Sequence, residues 1–144
     1  MSFEDNIAYI TSRMTKVAKH WGMDKPDTNI IAVAKKQLPS KIKESLQCGH
    51  RLYGENRVQE AVKKFNTIEP ELVYTKRMIG HLQTNKINKA LRVFDTIDSV
   101  DSLRIAKQLV KKLRHNKRQL FVLLEINTSG DKTKFGFDPN NDQD

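Results

Sequence analysis

Five short runs of aliphatic and β-branched residues recur along this chain, and between them lie segments whose apolar residues repeat every three or four positions. The runs are IIAVA ending at Ala34, RLYGE ending at Glu55, LVYTKRMIG ending at Gly80, VFDTI ending at Ile97 and LFVLLEI ending at Ile126. A strand reached only through a helix enters the sheet parallel to its predecessor, so this alternation confines the fold to the parallel α/β class. Ile30–Ala34 has no polar face, which predicts a strand buried on both sides; Leu120–Leu124 is more apolar still.

The intervening segments supply helices. Phe3, Ile7, Ile10, Met14, Val17, Ala18 and Trp21 make one apolar stripe, ended by Gly22, before the breaker DKPDTN. Pro39 and Ser40 open a second helix that closes at Gly49. Asn56, with Gln59 three residues on, reads as the cap of a third, whose inner stripe is Val58, Ala61, Val62 and Phe65. Ile87, Ala90, Leu91 and Phe94 face inward on the fourth; Leu103, Ala106, Val110 and Leu113 do so on the fifth. The chain reads as one domain: helix and linker over 1–28, βα units over 29–136 and a polar tail over 137–144.

An open doubly wound sheet and a (β/α)₈ barrel both have this rhythm. Neither GxGxxG nor a P-loop follows the first strand, so the phosphate signature of the open sheet is missing. Polar and glycine residues instead follow each strand: Lys35, Gly54–Asn56, Gly80–Gln83, Asp98–Ser99 and Asn127–Ser129. Barrel active sites gather at that rim. A full barrel takes about 250 residues, and this sequence has 144, so a partial barrel of about five strands is expected.

Composition removes several functions. A single cysteine, Cys48, can form neither an internal disulfide nor a thiolate metal site. No apolar run approaches the length of a membrane span, and the acidic N-terminus is unlike a secretory signal, so a cytoplasmic protein is expected. The net charge is +9, concentrated in RIAKQLVKKLRHNKR from Arg104 to Arg118. That cluster allows a nucleic-acid-binding reading, but no aromatic residues interleave with the cations and no helix-turn-helix or zinc spacing appears, so a solvated outer helix is the expected reading. His20, His50 and His115 lack ligand spacing and are expected at the surface.

Lys35 is the residue with chemistry. At the end of an apolar strand an ammonium loses solvation, which favours its neutral, nucleophilic form and suits condensation with a carbonyl. The bland alternative is a lysine that reaches solvent from the strand tip. AVAKKQLPS around Lys35 resembles the cofactor-lysine segment of the pyridoxal phosphate homeostasis proteins. YGENRVQEA at Tyr53–Ala61, MIGHLQTNK at Met78–Lys86, IDSVDS at Ile97–Ser102 and INTSGDKTKFG at Ile126–Gly136 resemble further segments of that family in the same order.

The resemblance implies a barrel like the N-terminal domain of alanine racemase, here truncated at its C-terminal side. It implies pyridoxal 5′-phosphate as cofactor, held as a Schiff base on Lys35, with Asn56, His81 and Asn127 near it and no metal. It implies a non-catalytic carrier in cofactor homeostasis. The family's phosphate-gripping segments lie beyond the point where this chain stops. An inactive remnant, self-association, or pairing with a complementing C-terminal half are therefore open alternatives. Ala34 stands where the family commonly has serine or threonine, and Lys76, Arg77 and Met78 where it often has aromatic residues.

Overall fold

The computed structural model describes residues 2–141. Helix α1 (Phe3–His20) is followed by β1 (Ala32–Val33), α2 (Pro39–Gln47), β2 (Leu52–Glu55), α3 (Val58–Phe65) and β3 (Thr75–Met78). A 3₁₀ turn, Thr84–Lys86, then leads into α4 (Ile87–Val93), β4 (Thr96–Val100), α5 (Leu103–His115) and β5 (Phe121–Leu124). The strands form one sheet in the order β1-β2-β3-β4-β5, and every neighbouring pair is parallel. Spatial order thus equals chain order. A doubly wound sheet reverses direction at a switch point, so this progression is that of a barrel wall.

The core lies between the outer face of this wall and helices α2–α5. Tyr53, Met78 and Ile97 point outward from β2, β3 and β4 and meet Ile42, Ala61, Phe65, Ile87, Ala90 and Ile105 from the helices, all buried. Burial of each large aliphatic side chain contributes about 1.5–3 kcal/mol. Buried Tyr53 places its hydroxyl 2.7 Å from Ser45 Oγ, so the ring packs in the core with its polar atom satisfied. Helix starts follow their local chemistry. Ser2 Oγ accepts from Asp5 N at 3.0 Å while the Asp5 carboxylate accepts from Ser2 N at 2.8 Å, closing a capping box. Those hydrogen bonds hold the Asp5 carboxyl below its ordinary range. Pro39 opens α2 and Ser102 caps α5.

Several expectations are corrected. Asn56 does not cap α3: the N-cap is Arg57, without a side-chain hydrogen bond, and Asn56 N donates to Glu55 Oε1 at 2.8 Å. The fourth strand is Thr96–Val100, not VFDTI, because Phe94 completes the inner stripe of α4 and is buried there. On α5 the buried residues are Ile105 and Leu109, flanked by Ala106 and Leu113; Leu103 and Val110 are exposed. Neither apolar strand is buried on both faces. Val33 is 47% exposed, and every residue of β5 is exposed, from Val122 at 42% to Phe121 at 85%. Both strands are sheet edges among the described residues. The apolar stripe of α1 buries only Ala18. His50 is half-buried rather than superficial, edge-on to Phe3 and Tyr53. Phe137, first residue of the expected polar tail, packs on the core and bridges to Ile126; residues 142–144 of that tail lie outside the described residues.

Candidate functional site at the C-terminal rim

The inward face of the wall is defined by a close contact. A Cβ added at Gly54 would lie 2.8 Å from Ile79 Cδ1 and 3.2 Å from Ile31 Cγ2, so Ile31, Gly54 and Ile79 share one side of the sheet. Side chains alternate along strands, so Val33 and Lys35 follow Ile31 onto that side. Val33 pairs with Gly54, and Gly54 with Arg77. Lys35, Asn56 and Ile79, each two residues further on, therefore stand at one level along the rim, with His81 above them.

Lys35 occupies a tight turn. Gln37 N donates to Ala34 O at 3.0 Å, and Lys36 takes the left-handed conformation with φ of 60°. Lys35 itself is exposed and makes no hydrogen bond or ion pair among the described residues. The expected desolvation of its amine is not realised: β1 is an edge strand with an open inward face. Beneath it lies a group that sequence reading missed. Lys64, on α3, has a side chain only 8% exposed, and its ammonium donates to Ala34 O at 2.5 Å and to Glu55 Oε2 at 2.6 Å. Glu55 is fully buried, and its other oxygen accepts from Asn56 N. A signal existed in the period of two through core-facing Tyr53, which aims Glu55 at the helices and demands a buried cation to match it.

Asn56 is pressed against Gly80, where an added Cβ would lie 2.7 Å from both Asn56 Cβ and Asn56 O. His81 is held on two sides. Its Nδ1 lies 2.5 Å from Asp101 Oδ2, and its ring stacks on Phe135 with centroids 3.7 Å apart and planes 11° from parallel. Asp101 is itself buried and accepts from Ser102 Oγ at 3.1 Å. The loop after β5 is thereby drawn across to the end of β3. Asn127 is committed to its own loop: Nδ2 donates to Asp131 O at 2.9 Å, and Oδ1 accepts from Ser129 Oγ at 2.9 Å. Lower on the inward face, Arg77 donates through Nε (2.6 Å) and Nη2 (3.0 Å) to the two oxygens of Asp98. Among the described residues no group of three or more His, Cys, Asp or Glu side chains is placed to hold a metal ion, and no helix is long and apolar enough to cross a membrane.

A parallel wall wound in chain order, with a free lysine on the turn after its first strand, defines a segment of an alanine-racemase-type barrel. Alanine racemase of Clostridium difficile 630 shares this fold with a TM-score of 0.65 over 91% of this chain and 34% of that one, at 15% identity. No protein-family model matches the chain. Over 141 residues, 96% of the chain, it is 34% identical to the pyridoxal phosphate homeostasis protein of Vibrio cholerae. The structure of PipY from Synechococcus elongatus PCC7942 with PLP bound matches 88% of the chain at 33% identity, with a TM-score of 0.74. Over almost its whole length the chain is thus similar to the pyridoxal phosphate homeostasis proteins. It spans 60% of the length of the Vibrio protein and 58% of PipY.

Proposed function

We propose that this chain binds pyridoxal 5′-phosphate through a Schiff base on Lys35 and serves as a non-catalytic carrier in intracellular cofactor homeostasis. The observation that carries the reading is the state of the lysines around the turn. Lys35 presents an unengaged amine at the inward rim, while Lys64 is withdrawn into a buried ion pair. The cofactor supplies an aldehyde that condenses reversibly with amines. Lys35 provides the amine, and its exposure leaves it open to exchange with solvent and with other amines, as a carrier requires. Asn56 and His81 flank the same rim as contacts for the cofactor's polar groups, His81 with its ring orientation set by Asp101 and Phe135. Asn127 contributes by ordering the loop at the mouth. The exposed edge strand β5 favours self-association or pairing with a complementing C-terminal segment, since an apolar edge presents unpaired backbone groups.

The test is a titration of the purified chain with pyridoxal 5′-phosphate, followed by borohydride reduction and peptide mapping. The reading expects an absorbance band of a lysine imine, its loss in Lys35→Ala, and the reduced adduct on Lys35. An adduct on any other lysine, or none, refutes it.

A further inference from the structure

The geometry points to Lys64 and Glu55 as positioning residues that set the backbone from which Lys35 projects; this inference rests on the cofactor reading above. Strand β1 pairs with β2 over Ala32 and Val33 alone, so the regular ladder ends just before the turn. What lies beyond is held by Ala34. Its N–H donates to Gly54 O at 2.8 Å, and its carbonyl accepts both from Gln37 N within the turn and from Lys64 Nζ. Lys64 is anchored in turn by Glu55, whose second oxygen holds Asn56 N. One buried carboxylate thus links the backbones at the tips of β1 and β2, and with them the two neighbouring rim residues Lys35 and Asn56.

An ion pair buried this deeply is weak evidence for stability, because desolvation of both ions offsets their attraction. Its distinctive consequence is directional: an ammonium that must donate to a fixed carboxylate and a fixed carbonyl allows the Ala34–Gln37 turn one orientation. It also withdraws Lys64 from competition for an aldehyde, which leaves Lys35 and its exposed neighbour Lys36 as the accessible amines of the turn. A buried hydrogen-bonded lysine is the opposite of a reactive one; between the two exposed lysines of the turn, alternation along β1 sends Lys35 to the side of Ile31 and Val33.

Removing Lys64 alone strands the Glu55 carboxylate in the core and risks unfolding, so the decisive variant removes both ions, Glu55→Leu with Lys64→Met. Wild type, the double variant and Lys64→Arg are compared by hydrogen exchange of the amides at 34–37 without cofactor and by borohydride trapping with pyridoxal 5′-phosphate. In the double variant, exchange over 34–37 speeds up by roughly ten- to a hundredfold, the worth of a charge-assisted hydrogen bond. Amides of α4 and β4 keep their wild-type rates, and trapping on Lys35 falls by a similar factor. Lys64→Arg, which still donates to both acceptors, restores most of both signals. Wild-type exchange and trapping in the double variant overturn the inference while the cofactor reading stands. Faster exchange at 34–37 with no trapping on Lys35 even in the wild type overturns the cofactor reading, and the positioning role with it. A uniform loss of protection throughout the double variant also overturns it, since the pair would then be a general stabiliser.

Discussion

Replacement of Gly80 by alanine tests how tightly the rim is built. The added methyl would sit 2.7 Å from Asn56 Cβ, 2.7 Å from Asn56 O and 2.9 Å from Asn56 Cα. Carbon atoms in contact prefer about 3.5–4.0 Å, so the two loops must separate by nearly an ångström. Two of the three neighbours are backbone, and that backbone is tied down. Asn56 N donates to Glu55, and Ser99 Oγ donates to the Gly80 carbonyl at 2.6 Å. Overpacking costs about 1–3 kcal/mol, and a rigid opponent places Gly80→Ala at the upper end. In a domain of this size each kcal/mol moves the melting temperature by about 2–4 °C, so a fall of about 6–12 °C is expected in thermal unfolding followed by circular dichroism. Gly22→Ala is the control. Nothing lies within 4 Å of its added Cβ, and only its φ of +72° is unfavourable, which costs about 1–2 kcal/mol. A Gly80→Ala protein that melts no lower than Gly22→Ala would refute the steric reasoning.

Three further outcomes are expected. Lys36 holds a left-handed φ of 60° inside the turn that carries Lys35; Lys36→Gly should stabilise the fold by about 1 kcal/mol in urea unfolding. Burial pushes the Tyr74 hydroxyl up to about 12, with Asp95 adding to the effect, and Tyr53 is raised chiefly by the same cause. The folded state then keeps protons that the unfolded chain gives up, so stability is intact below pH 10 and falls as the pH rises toward 12, and a Tyr74→Phe variant should show a shallower loss in melts taken across that range. Phe135→Ala should move the His81 ring protons downfield in proton NMR, because the stacked ring that shields them is gone.

The class of fold was legible because it depends on local periodicity. The stripe Ile87, Ala90, Leu91 and Phe94 is buried as its spacing requires, and four of the five apolar runs contain a strand, while the fourth overlaps β4 only at Thr96 and Ile97. Element edges were less legible. Asp98 and Ser99 look like the end of a strand in sequence, yet they lie inside β4, since Arg77 pairs with Asp98 and the Gly80 carbonyl accepts from Ser99. Asn56 has a capping residue's chemistry, but its backbone N–H is engaged by the buried Glu55 carboxylate, and the helix begins one residue later with Arg57 as its N-cap.

Hydrophobic period and turn chemistry, which act over a few residues, are enough to determine from this sequence that the chain is a parallel α/β protein with a lysine at the tip of its first strand. Which groups surround that lysine was decided only by tertiary structure. Lys64 meets the Ala34 carbonyl across 30 positions of chain and His81 meets Asp101 across 20. Such pairs leave no periodic trace, because each depends on where whole strands and helices come to rest against one another. Exposure was decided in the same way: β5 is the most apolar run in the chain and lies at the surface, because burial depends on what packs over a strand and not on its own composition.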